Sequence, residues 1–167
     1  AGQSSGNGSL DFELLWLSES YLIAAEAYGR KGNYPKAAEL INVVRKRAAY
    51  KEGEVKPKQF YEADGGSKAD LTKSTEAAMM ITPDRINSFE KLRDFILEER
   101  AREFAGDDER YFDLVRTETF LDRIVKYNGR CYAAVKEWHK LRPIPQNHID
   151  RLQNKGSNEE EQNPGYY

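Results

Sequence analysis

Residues 14–50 read LLWLSESYLIAAEAYGRKGNYPKAAELINVVRKRAAY, and their periodicity decides the fold class. Leu14, Leu17, Tyr21, Ala24, Ala25 and Tyr28 recur at the spacing that places side chains on one face of a helix. Leu15 and Leu22 flank that face, while Trp16, Ile23 and Ala27 lie opposite it. Glu19 and Glu26, with a few serines, leave only a narrow polar strip. A helix that is apolar on nearly every side packs on more than one of them. Gly29 and Gly32 let the chain turn at its end. Asn33 is placed to cap a second helix, and Pro35 suits its first turn, where a missing N–H costs nothing. Ala37, Leu40, Ile41, Val44 and Ala48 form the expected buried stripe of that helix, with Glu39, Asn42 and Lys46 toward water. The stretch is a helical hairpin.

This hairpin resembles one tetratricopeptide repeat. Tyr21, Ala25 and Tyr28 match the first helix of such a unit, and KGNYPKAAELI matches its turn and second helix. Ala25 and Ala37 are small where the two helices of a repeat approach closely. No second copy follows. Repeat units bury their faces by stacking, with about three needed for stability, so a lone unit implies neighbours outside this chain. The opening AGQSSGNGSL has no initiator Met and neither the basic nor the apolar region of a signal peptide; it reads as a flexible Gly/Ser lead-in to a piece of something longer.

Composition narrows the function classes. The 167 residues are 39% hydrophobic and 32% charged, with a net charge of −2 and both signs interspersed, so there is no electrostatic footprint for nucleic acid or an anionic membrane. No apolar run reaches the roughly 18–20 residues of a membrane helix. The single cysteine, Cys131, excludes an internal disulfide and a cysteine-based zinc cluster, and reads as a small semi-buried residue.

Residues 50–81 show no sustained period and carry Gly53, Pro57, Gly65 and Gly66. A loop of that length in a compact domain is often functional. Phe60 and Tyr61 could stack on a ligand there, or pin the loop to the body. Order returns over residues 82–128, a charged helix followed by short helices. Ser88 is the expected cap of the charged helix, and Gly106 stops it. At 100° per residue Phe89, Leu92 and Ile96 share the inward face with Glu99, Arg100 and Glu103, while Glu90, Lys91, Asp94, Glu98 and Arg102 point away. Three charges are therefore expected to be buried, and buried charges must be paired and hydrogen-bonded. Glu103 is within reach of Arg100 at i+3, Asp113 is a further candidate partner for Arg100, and Arg45 and Arg47 are candidates for the glutamates. The set Glu99, Arg100, Glu103 and Asp113 reads as a structural charge network. The rival reading is a carboxylate active site. The Glu-x-x-His pattern of di-metal helical sites is absent from EERARE, and there is no phosphate loop, nucleophile elbow or metalloprotease helix. His139 and His148 form at most a weak metal pair, so no catalytic residue, metal or cofactor is assigned.

The blocks YLIAAEAYGRKGNYPKAAELINVVRKRA, ILEERAREFAGDDERYFDLVRT, LRPIPQNHID and QNPGY, in this order, resemble the C-terminal part of the SusD/RagB family. The resemblance covers nearly the whole chain. It implies a mostly α fold, with a tetratricopeptide-like hairpin supporting irregular, loop-rich segments and an extended closing segment over residues 129–167. It also implies a non-enzymatic, cofactor-free, surface-exposed outer-membrane lipoprotein that binds a glycan or other nutrient. Such a protein passes its ligand to a SusC-like TonB-dependent transporter, and its lipid anchor would lie outside this chain. The family's glycan site is built largely upstream, so no binding residue is carried over. AGDDERY departs from the usual glycine-bearing turn before the FDL block, which puts the turn geometry in question. Trp138 reads as a core residue rather than a sugar platform. The alternative function is a tetratricopeptide-like protein–protein interaction module, with a groove lined by the hairpin's first helix.

Overall fold

The computed structural model describes residues 15–53 and 74–167. Among them the protein is helical, without a strand; one isolated bridge pairs Tyr50 with Thr75. The chain forms two compact units, residues 1–105 and 106–167.

In the first unit α1 (Leu17–Arg30) and α2 (Tyr34–Ala48) form the expected hairpin. The turn is built as the sequence requires. Gly32 takes a φ of 77°, its N–H and that of Lys31 satisfy carbonyls at the end of α1, and the Asn33 side chain accepts from Lys36 N–H at 3.1 Å. The buried stripe of α1, however, is Leu22, Ala25, Glu26 and Gly29. Leu17 and Tyr28, placed on the buried face by periodicity, are exposed, and Glu26, placed in the polar strip, is buried. Glu26 tolerates burial because Arg30 pairs with it at 2.8 Å while its guanidinium lies 4.9 Å over the Phe89 ring. The rotation has a cause. Helix α4 (Phe89–Glu103) crosses α1 at Gly29, where a β-carbon would lie 2.0 Å from Leu92 Cδ2. Only glycine lets the two helices approach that closely. In α2, Ala37, Ala38, Ile41 and Val44 are buried, whereas Ala48 is exposed.

The end of the segment read as irregular is ordered. Thr75 caps a helical turn, α3 (Glu76–Met79), by accepting from Ala78 N–H at 3.3 Å, and Tyr50 N–H donates to Ser74 O at 2.8 Å. Beyond it Ile81 and Ile86 enter the core, the latter from a 3-10 turn (Pro83–Ile86). Asn42, expected to face water, instead binds both backbone groups of Ile81 at 2.9 Å each. One side chain thus holds the chain against α2. Asn42→Ala would strand a backbone N–H and C=O, and we expect it to lower unfolding free energy by about 2 kcal/mol in urea titration. The core of this unit joins Leu22, Ala25, Ile41, Ile86, Leu92 and Ile96, with Tyr21 and Leu40 packed at its edge.

The second unit contains α5 (Arg110–Arg116), α6 (Phe120–Tyr127), a 3-10 turn (Glu137–Lys140), α7 (Gln146–Ile149) and α8 (Asn158–Glu161). In the segment leading to α5, Gly106 and Asp108 both take left-handed φ values, 100° and 57°. Aspartate tolerates that region better than most residues, so AGDDERY turns without a second glycine. Glu118 adopts a φ of 57° between α5 and α6, fixed by Glu118 N–H to Val115 O at 3.1 Å and Thr119 N–H to Leu114 O at 2.9 Å.

Candidate functional site

The charged face of α4 is a set of closed pairs. Arg45 reaches from α2, donating from Nη1 to Glu99 Oε2 at 2.5 Å and from Nε to Met79 O at 2.5 Å, and it also lies 5.5 Å over the Phe95 ring. Glu99 receives a second guanidinium, Arg102, at 2.6 Å. Glu103 pairs with Arg47 of α2 and not with Arg100 at i−3. Arg100 reaches back to Glu19 of α1 at 2.9 Å and stacks at 4.9 Å on Phe104. Asp113 is buried in the second unit, with Arg116 Nη2 3.6 Å from its carboxylate. Arg45 and Glu99 expose only 13% and 7% of their side chains, so this pair lies out of water. Among the described residues no buried side-chain nitrogen or oxygen lacks a hydrogen-bond partner. Both guanidiniums meet Glu99 at one oxygen, Oε2, and charge-assisted pairing of this kind ties α2 to α4 as a brace.

The second unit brings three sequence motifs into one clasp. Tyr111 of RYFDLVR donates to Lys140 O at 2.6 Å, and Arg142 of LRPIP lies 4.3 Å over the Tyr111 ring. From QNPGY, Gln162 binds both backbone groups of Ile144, at 2.7 and 2.9 Å. Asn163 donates to Arg142 O at 2.6 Å, and Tyr166 donates to Leu141 O at 3.0 Å. Pro143 and Pro145 keep the intervening chain extended, so its carbonyls are open to these side chains. We expect Gln162→Ala to expose the Ile144 amide. Its hydrogen-exchange protection should fall about tenfold or more, while amides of α1 and α2 keep theirs.

Trp138 sits beside this clasp. It is 39% exposed, not a core residue, and Gly165 covers one face so closely that a β-carbon there would lie 2.5 Å from the indole. Phe60 and Tyr61 lie outside the described residues. Cys131 is exposed, contrary to the semi-buried expectation. Among the described residues no group of three or more His, Cys, Asp or Glu side chains could hold a metal ion. Described residues line two concavities of note. A groove of about 290 Å³ on the hairpin is lined by Trp16, Leu17, Ser18 and Tyr21 on one side and Val43, Val44 and Arg47 on the other. A cleft of about 350 Å³ in the second unit is lined by the half-buried apolar Val115, Phe120 and Leu121 and by the exposed charged side chains of Glu118, Asp122, Glu137 and Lys140. The sequence had marked neither Asn42 nor Gln162. An asparagine flanked by Ile41 and Val43 inside a helix was the available sign for the first; the second stood out only as part of QNPGY.

Residues 1–166 match the model of the SusD family. The chain belongs to the SusD family. No curated protein and no solved structure matches it. SusD-family proteins bind nutrients, glycans among them, at the cell surface, and they are binding proteins rather than enzymes. They are outer-membrane surface lipoproteins. Among the described residues no helix is long and apolar enough to cross a membrane. The motifs that resemble the family are, in this SusD-family chain, the residues of the brace and the clasp.

Proposed function

We propose that this SusD-family chain is part of a receptor that captures an oligosaccharide or other nutrient and passes it to a SusC-like TonB-dependent transporter. A lipid anchor would hold the receptor at the surface. The family match over residues 1–166 is the observation that carries this reading. The closed charge network supports the non-catalytic part of it, because Glu99 and Glu103 are occupied by Arg45, Arg102 and Arg47. In this reading the chain is the C-terminal portion of the receptor and contributes scaffold. The hairpin stacks on further helices through Leu17 and Ile23, which are 75% and 57% exposed, and the clasp closes the other unit. The test is calorimetric titration of oligosaccharides into this chain and into the full-length gene product, with pull-down of a transporter barrel from outer membranes. Binding and barrel capture by the full-length product support the reading; failure of both overturns it.

One observation favours a second reading, that of an interaction module. The groove between Trp16, Leu17, Tyr21 and Val43 is mostly apolar and wide enough for side chains of an apolar helix or peptide. A peptide display screen that returns saturable ligands lost in Leu17→Glu, with no glycan bound by the full-length product, would favour the module over the receptor.

A further inference from the structure

The cleft of the second unit differs in chemistry from the hairpin groove. Phe120 and Leu121 give its lining apolar surface of the kind that packs on the C–H face of a sugar ring, and Phe120 makes an edge-on contact with Tyr111 at 5.7 Å. Beside that surface in the lining, Glu137 pairs with Lys140 at 3.1 Å, while Glu118 and Asp122 are exposed. Three of the four charged side chains in the lining are carboxylates, which when ionised only accept hydrogen bonds, and the one donor, Lys140, already pairs with Glu137, so the cleft favours a ligand that brings donors, hydroxyl or ammonium. A ligand carrying its own carboxylate would meet like charge. At about 350 Å³ the space is at the small end of ligand pockets, that of one ring and not of a chain of them. The position of Glu118 is also fixed. Its backbone φ of 57° is enforced by the hydrogen-bonded turn, and the flanking Thr117 and Thr119 hydroxyls lie 2.8 Å apart. We propose that this cleft is a subsite for one neutral or amino-bearing sugar ring and discriminates against uronic acids. The proposal rests on the receptor reading and adds to it a place and a preference within this chain.

The test uses amide chemical shifts of the 167-residue chain titrated with methyl glucoside, methyl glucosaminide and methyl glucuronide. We expect saturable shifts confined to the amides around Glu118, Phe120, Leu121 and Glu137 with the first two sugars. The glucuronide should bind about tenfold or more weakly. Leu121→Trp, which fills the cleft, and Asp122→Asn, which leaves its shape, should each abolish or weaken the shifts while circular dichroism is unchanged. Shifts elsewhere only, no saturation, equal response to the glucuronide, or shifts that survive in both variants would overturn the subsite. Oligosaccharide titration of the full-length product separates the two failures. If that product binds while the cleft is silent, the subsite falls and the receptor reading stands.

Discussion

Arg45→Met will destabilise the first unit by about 3–5 kcal/mol, because it leaves the Glu99 carboxylate out of water and facing an apolar neighbour. Only Arg102 would remain on that carboxylate, and its side chain is 57% exposed, so its grip is screened by solvent. The Met79 carbonyl would also lose its donor. Most of the loss comes from stranding a charge, not from losing an attraction. The double variant Arg45→Met with Glu99→Met should therefore recover most of the stability. Urea denaturation of the two single variants and the double variant measures this directly. A single-variant cost below about 1 kcal/mol would mean the pair behaves as a surface bridge and the brace is not structural.

Gly29→Ala carries the next largest expected loss. Alanine is ordinarily the better helix former, by up to about 1 kcal/mol. Here its methyl group would lie 2.0 Å from Leu92 Cδ2, and Leu92 is fully buried, so it cannot swing aside into solvent. Either α4 moves off α1 or Leu92 leaves its rotamer. Overpacking of this kind costs about 1–3 kcal/mol, so the sign reverses against propensity. The companion change Leu92→Ala in the Gly29→Ala background should relieve the clash. It should make the methyl less costly than in the wild-type context, and a thermodynamic cycle on thermal unfolding would show the coupling.

These two sites explain what the sequence could and could not reveal. The hairpin was legible because its caps and turn are local: Asn33, Pro35 and Gly32 act within a few residues of their own positions. The inward placement of Glu99, Arg100 and Glu103 was legible too, since helical periodicity sets direction, and two of their partners, Arg45 and Arg47, were named from it. One partner of Arg100 was not. Glu19 lies 81 residues away in the chain, and only the crossing of α4 over α1 brings it near. The same crossing, at Gly29, rotates α1 so that Glu26 turns inward and Leu17 outward. Periodicity fixes which residues share a face, but a neighbour decides which face is covered. Side chains that bind backbone, Asn42 on Ile81 and Gln162 on Ile144, do not reveal their partners, because a backbone N–H or C=O has no identity in the sequence. The motifs resembling the SusD family named the right fold for a reason that becomes visible in three dimensions. RYFDLVR, LRPIP and QNPGY are distant in sequence and hydrogen-bonded or stacked in space. Such residues are fixed by the scaffold they hold together, so they report the fold and not the sugar.

The central claim is that this SusD-family chain serves capture and not chemistry. The measurement that meets it most directly is incubation of the full-length product with an oligosaccharide panel, read by calorimetry for binding and by mass spectrometry for the recovered glycan. The account requires saturable binding of at least one oligosaccharide, its recovery intact, and no loss of that binding in Glu99→Gln beyond what reduced stability explains. A cleaved or modified glycan whose formation stops in Glu99→Gln would contradict it.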